Sequence, residues 1–333
     1  MEHEKVFAGK QILITGGLGF IGSNLAGALV GCGARVTLVD SLIPQYGGSL
    51  FNIKEIKDLV KVNIADVRDE HSMKYLVQGQ DYLFNLAGQT SHLDSMDDPY
   101  TDLDMNCRAQ LSILEACRKH NRRIKIVFAS TRQVYGIPDS LPVDEGHPLR
   151  PVDVNGINKL AGEWYHIVYN NVYALRTCVL RLTNTYGPRM RVKDARQTFL
   201  GWWIRLLAEG RELQVFGDGQ QMRDLNYVDD VVEALLLAAA REEANGQIFN
   251  LGDDHPLRLL DLARLLIEIN GGGRFEIVPF PLDRKAIDIG DYYGSFQKIC
   301  GLLGWRPKTP LQEGLSRTLG YYREHGTHYW GNG

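Results

Sequence analysis

The chain has 333 residues, 44% hydrophobic and 23% charged, with a net charge of −3. That is the composition of an ordinary folded protein with a large core and enough length for more than one domain. The balance gives no electrostatic reason to bind nucleic acid or an anionic membrane, and no run approaches the roughly 18 apolar residues of a membrane helix.

In chain order, short β-branched or apolar runs alternate with longer amphipathic ones. The N-terminal MEHEKVFAGK is polar and lacks the apolar run of a signal peptide, and the five cysteines are scattered without a Cys-x-x-Cys pair. Both features lead us to expect a cytoplasmic protein with free thiols. The runs predict strands at Gln11–Thr15, Arg35–Val39, Val60–Asn63, Tyr82–Leu86, Lys125–Ser130 and Ala174–Arg181. Helices are predicted at Phe20–Gly31, Glu70–Gln78, Asp102–His120 and Gly156–Asn171. This rhythm belongs to an α/β protein with a parallel sheet covered on both faces. After Leu182 it loosens into shorter elements punctuated by Pro188, Pro256, Pro279 and Pro281, and a helix at Val228–Ala240 and a strand at Ile248–Leu251 return to the first unit. The reading is a first domain of residues 1–181 plus about 226–255, and a smaller C-terminal α/β substrate domain of 182–225 and 256–325. Residues 326–333 are expected to fray.

The most specific local signal is QILITGGLGFIGSNLAGALV, which sets Gly16, Gly19 and Gly22 between a strand and a helix. Gly16 permits a tight turn, Gly19 lets backbone approach a pyrophosphate, and Gly22 allows close helix–strand packing, with the helix N-terminus facing the phosphates. The next strand ends in VTLVD, where Asp40 can accept from the adenosine ribose hydroxyls and would repel a 2′-phosphate. The reading is a Rossmann-type doubly wound sheet that binds NAD. Asp66, in NIADVRD, is a candidate for the adenine amino group, with a loop cap as its alternative.

Together with TGGLGFIG, the segments NLAGQ (85–89), ASTRQVYG (129–136), LRLTNTYGPR (180–189) and VFGDGQQMRDLNYVDD (215–230) give the chain a family resemblance. It resembles the extended short-chain dehydrogenase/reductase family, the group of nucleotide-sugar epimerases, dehydratases and decarboxylases, from about Ile12 to Tyr322. The resemblance implies a bound NAD, a nucleotide-diphosphate sugar as substrate, and a homodimer formed through the Asp102–His120 and Gly156–Asn171 helices. It extends the cofactor set to Phe20, Ile21, Val67, Leu86, Ala87, Gly88 and Lys159. Asn184 would contact the sugar-proximal phosphate and Arg223 and Arg284 would clamp the diphosphate, with surface ion pairs as the alternative for both arginines. Phe199, Trp202 and Trp203 are expected to pack the second domain.

Relatives oxidise a sugar carbon with a Tyr of a Tyr-x-x-x-Lys helix as base, helped by a Ser or Thr hydroxyl. Thr131 and Lys159 fill two of these places, but Asn155 stands where the tyrosine belongs, and no other Tyr-x-x-x-Lys occurs. An amide cannot take a proton near neutral pH. Candidate replacements are Tyr135, Tyr186 (otherwise a sugar-binding or packing residue), His92, Asp153 (otherwise a helix N-cap) and Lys159 itself. Arg132 and Gln133 stand where dehydratases and decarboxylases tend to carry acids. The leading expectation is a nucleotide-sugar epimerase. A dehydratase or other lyase, and a non-catalytic NAD and nucleotide-sugar binding protein, are the alternatives.

Overall fold

The computed structural model describes residues 4–43, 46–196 and 198–331. Its centre is a seven-stranded sheet. The first six strands in chain order are β1 (Gln11–Thr15), β2 (Arg35–Asp40), β3 (Val60–Ile64), β4 (Tyr82–Asn85), β5 (Lys125–Thr131) and β6 (Arg176–Leu182). Across the sheet the order is Ile248–Asn250, β6, β5, β4, β1, β2, β3, and every pairing is parallel.

The twofold side-chain period of a strand explains the two covered faces. Ile12 and Ile14 of β1 pack with Leu25, Leu29, Val231 and Leu235 of the helices Phe20–Gly31 and Val228–Ala240. Leu13, between them, turns to the other face against Met73, Ile113 and Leu114. Each such aliphatic side chain removed from water contributes on the order of 1.5–3 kcal/mol. Parallel strands reverse order beside β1, so the chain leaves β1 and β4 in opposite directions and opens a crevice at their carboxyl ends.

The longest helix is Val154–Tyr173, starting two residues before the predicted Gly156 because Asp153 caps it: its Oδ1 accepts from Gly156 N at 2.6 Å. Ala174, expected in a strand, is the left-handed cap that ends this helix, so β6 starts at Arg176. The single helix predicted over Asp102–His120 is broken into Pro99–Leu103, a π-helical segment Asp104–Arg108, and Ala109–His120. After β6, short paired strands and the helices Phe199–Ala208, Leu259–Asn270 and Leu311–His325 wall the far side of the crevice.

The tail expected to fray carries contacts as far as Trp330. Thr327–Trp330 forms a helical turn, His328 stacks on Phe51 with centroids 3.8 Å apart, and Tyr329 Oη donates to Asn52 Oδ1 at 2.7 Å. Aromatic rings in the last turn found apolar partners on the Leu50–Ile53 segment, which a reading of terminal position alone could not anticipate. Residues 332 and 333 lie outside the described residues.

Candidate active site

One cavity of about 720 Å³ runs along the carboxyl ends of the strands and gathers most of the predicted site residues. At one end lies the glycine turn. Gly16 has φ of +67°, and a Cβ on Gly22 would sit 2.2 Å from Gly16 O, so only glycine lets the helix Phe20–Gly31 start this close to β1. Gly19, Phe20 and Ile21 line the same wall. Asp40 ties the turn to β2: its Oδ2 accepts from Leu18 N at 3.1 Å and its Oδ1 from Leu42 N at 2.9 Å. Burial pushes the Asp40 carboxyl up, and these two backbone bonds oppose the shift. Asp66 and Val67 also line this end; Arg68 grips Asp66 at 2.6 Å and, against partial burial, holds its carboxyl low.

The floor is the end of β4. Thr15 Oγ1 donates to Asn85 Oδ1 and accepts from Leu86 N and Ala87 N, fixing the backbone of Leu86, Ala87 and Gly88 where it lines the cavity. These features fit a dinucleotide: backbone amides and a helix N-terminus for phosphates, and a carboxylate for ribose hydroxyls. A Gly22→Ala substitution should weaken NAD binding at least about tenfold by displacing that backbone. Calorimetric titration with NAD checks this, and unchanged affinity would show that the turn does not hold the pyrophosphate.

At the chemical end, Thr131, Asn155, Lys159 and His92 all line the cavity. Thr131 Oγ1 accepts from Gln133 N at 3.2 Å, which leaves its own proton available for a ligand oxygen. Lys159 Nζ donates to Ala129 O at 3.2 Å, and burial lowers its pKa to about 8, although the carboxylates of Asp102 and Glu163 oppose the change. Asn155 Nδ2 donates to Gln89 O at 2.9 Å and to Asp102 Oδ2 at 3.0 Å. Both partners only accept, so the amide orientation is determined and its Oδ1 remains as an acceptor. Asp102, fully buried, also receives Asn106 Nδ2 and Asn158 Nδ2.

His92 begins the helix His92–Asp97, and its Nδ1 lies 2.9 Å from Asp153 Oδ2, in ion-pair contact although the ring nitrogen is not aligned for a hydrogen bond. Asp153 is buried, which by itself would raise its pKa, but His92, Gly156 N and Gln133 Nε2 together hold the carboxyl below its ordinary range. Asp153 is thus both N-cap and partner of a cavity-lining imidazole.

Two predicted site residues are elsewhere. Tyr135 is fully buried outside the cavity: its hydroxyl donates to Asn250 Oδ1 and accepts from Arg181 Nη1, which is itself locked to Glu163, and burial pushes the phenol up to about 12. Tyr186 packs in the core against Tyr227 and Gly314, away from the cavity lining, and its phenol is also raised by burial.

The residues expected at the phosphates do line the cavity. Asn184 Nδ2 donates to Asp224 O, while its Oδ1 accepts from Arg132 Nη2 at 3.0 Å. Arg223 is held by Asp288 Oδ1 at 3.4 Å and by Gln221 Oε1, Met222 O and Gly290 O, and desolvation lowers it to about 10. Arg284 donates to Ala195 O and faces Phe216. Phe199, Trp202 and Trp203 both pack the second region and line the cavity.

Residues 12–252 match the model of the NAD dependent epimerase/dehydratase family. The chain belongs to this family. NAD is accordingly its cofactor. The chain is 32% identical to a putative UDP-glucose 4-epimerase of Methanocaldococcus jannaschii, over 94% of this chain and 98% of the relative. It is 30% identical to a dTDP-glucose 4,6-dehydratase of an Actinoplanes species, over 94% and 98%. The crystal structure of UDP-glucose 4-epimerase with UDP-glucose from Thermotoga maritima superposes with a TM-score of 0.85 at 32% identity, covering 94% of this chain and 99% of that one.

In this epimerase/dehydratase, sequence reading missed the network beneath Asn155. Gln89, Asp102, Asn106 and Asn158 are buried polar residues, with Asn106, in the π-helical segment, donating to both Gln89 O and Asp102 Oδ2. The only sequence signal was Asp102, Asn106 and Asn158 on predicted helices, where such residues ordinarily face solvent, and Gln89 just after a predicted strand.

Proposed function

We propose that the protein is an NAD-dependent nucleotide-sugar epimerase that oxidises a sugar carbon transiently and exchanges the hydroxyl proton through His92. The observation that carries this reading is the His92–Asp153 pair at the cavity that Thr131 and Lys159 also line. With Nδ1 turned to the carboxylate, Nε2 is the ring atom left to take a proton, and an ionised Asp153 stabilises the imidazolium that results. Bound NAD supplies reversible hydride acceptance. Lys159 holds the nicotinamide ribose, Thr131 donates to the reacting oxygen, and Asn155 Oδ1 accepts from a ligand hydroxyl.

Isomerisation is favoured over elimination because a dehydratase needs a base for one carbon-bound proton and an acid for the leaving hydroxyl. The acids that line the cavity among the described residues are Asp40 and Asp66 at the glycine-turn end and Asp288, which is paired with Arg223. None adjoins Thr131. The UDP-glucose in the Thermotoga structure supports a nucleoside-diphosphate sugar as substrate, with Asn184, Arg223 and Arg284 as the residues that meet its diphosphate. Incubation with UDP-, dTDP-, GDP- and CDP-sugars, followed by NMR, should show conversion of one sugar to its epimer without loss of water. Conversion of none would overturn the reading, and solvent deuterium at the carbon beside the oxidised centre would move the assignment to a lyase or a 3,5-type epimerase.

A further inference from the structure

Arg132 follows Thr131 directly and lines the cavity. Its surroundings differ from those of the other arginines there. Arg191, Arg196 and Arg223 each have a carboxylate within ion-pairing distance, from Asp194, Asp94 and Asp288. Arg284 bonds a backbone carbonyl and faces a ring, beside its chain neighbour Asp283. Arg132 makes one hydrogen bond, Nη2 to Asn184 Oδ1, and its Nε is buried with no partner. Among the described residues no carboxylate pairs with it. The neighbouring acid, Asp224, spends one oxygen on Thr183 Oγ1 and the other on Gly294 N. The guanidinium carbon stands 5.4 Å from the Tyr292 ring centroid, which orients the fork without neutralising it.

A desolvated cation with no carboxylate in contact is costly: burial depresses the Arg132 guanidinium, and Asp224, Asp288 and Asp153 at longer range oppose the shift only in part. Such a group is stable when the ligand brings the anion. Diphosphate is one source, but Arg223 and Arg284 already line the cavity. Arg132 instead follows Thr131, whose hydroxyl is placed at the reacting oxygen, while its Nη2 reaches Asn184, placed at the sugar-proximal phosphate. A sugar ring held between those two groups lies within reach of the guanidinium.

We propose that Arg132 binds a carboxylate carried on the sugar ring, so that the substrate is a nucleoside-diphosphate uronic acid rather than a neutral hexose. This rests on the nucleotide-sugar reading above. A guanidinium fork matches a carboxylate, whereas a neutral hydroxymethyl group leaves the cation unpaired.

The test compares UDP-glucuronate, UDP-glucose and UDP with the NAD-loaded wild type and the Arg132→Ala and Arg132→Lys variants, by turnover and by calorimetric titration. The wild type should favour UDP-glucuronate over UDP-glucose by about 10²-fold, the scale of a buried charge pair. Arg132→Ala should lose that preference, and Arg132→Lys should retain part of it because the charge remains without the fork. Thermal melting of both variants identifies any loss of fold, and the wild-type preference alone still decides the point if Arg132→Ala unfolds. Equal affinity and turnover of the two sugars in the wild type would overturn the proposal and leave the nucleotide-sugar reading intact. Equal weakening of UDP and UDP-glucuronate by Arg132→Ala would assign the anion to the diphosphate and overturn it too. Failure of all three UDP compounds to bind would remove the uridine nucleotide-sugar reading and the proposal together.

Discussion

Replacing His92 by asparagine should lower kcat by about 10²–10⁴, the range lost when a general acid–base group is removed, while leaving the melting temperature nearly unchanged. The side chain is only partly buried, and its ion-pair partner among the described residues is Asp153. Asparagine keeps a polar group at Asp153 but cannot take a proton. Asp153→Asn is the informative companion. Asparagine is as good an N-cap as aspartate, so the helix Val154–Tyr173 retains its start, but the carboxylate that orients the imidazole is gone. Its kcat should fall less than in His92→Asn, because the imidazole itself remains and only the carboxylate beside it is lost. Full activity in His92→Asn would sink the assignment of His92 and return attention to Lys159.

Lys159→Met should abolish turnover and at the same time alter the pH dependence of stability. The wild-type lysine has its pKa lowered from 10.5 to about 8 by burial. Between those values the unfolded chain binds the proton and the folded chain does not, so stability rises with pH across that window. Below about pH 8 both states carry the charge and the full desolvation cost is present. In the absence of cofactor the wild type should therefore gain on the order of 3.5 kcal/mol relative to Lys159→Met as the pH rises through that window, because each pH unit across it is worth about 1.4 kcal/mol. Denaturant melts of both proteins at several pH values give the difference, which cancels the contributions of the buried tyrosines. Parallel stability curves would show that Lys159 is not desolvated in the folded state. The cost of burying this cation is borne for function, since its Nζ reaches the cavity beside Gly88, where a Cβ would stand 3.0 Å from it.

The cofactor half was legible because its signals are local. Gly16, Gly22 and Asp40 are tied to backbone conformation and strand ends, so spacing along the chain already places them relative to one another. The expected helix over Asp102–His120 shows the limit. Its apolar period was correct, but the π-helical break at Asp104–Arg108 depends on Asp102 and Asn106 meeting Gln89 and Asn155 from other parts of the chain. Tyr135 shows the reverse error: it adjoins a site motif in sequence, yet Arg181 and Asn250 hold its hydroxyl outside the cavity.

The sequence by itself determined the parallel α/β architecture, the dinucleotide turn, and the absence of the usual tyrosine, because each rests on periodicity, glycine stereochemistry or residue identity. Only the tertiary structure decided that Asn155 is pinned as an acceptor, that His92 lines the cavity with Thr131 while Tyr135 and Tyr186 do not, and that Arg132 faces the cavity with no ion pair among the described residues. Those three facts depend on partners tens of residues away, whose distance and burial are properties of packing that no local pattern encodes.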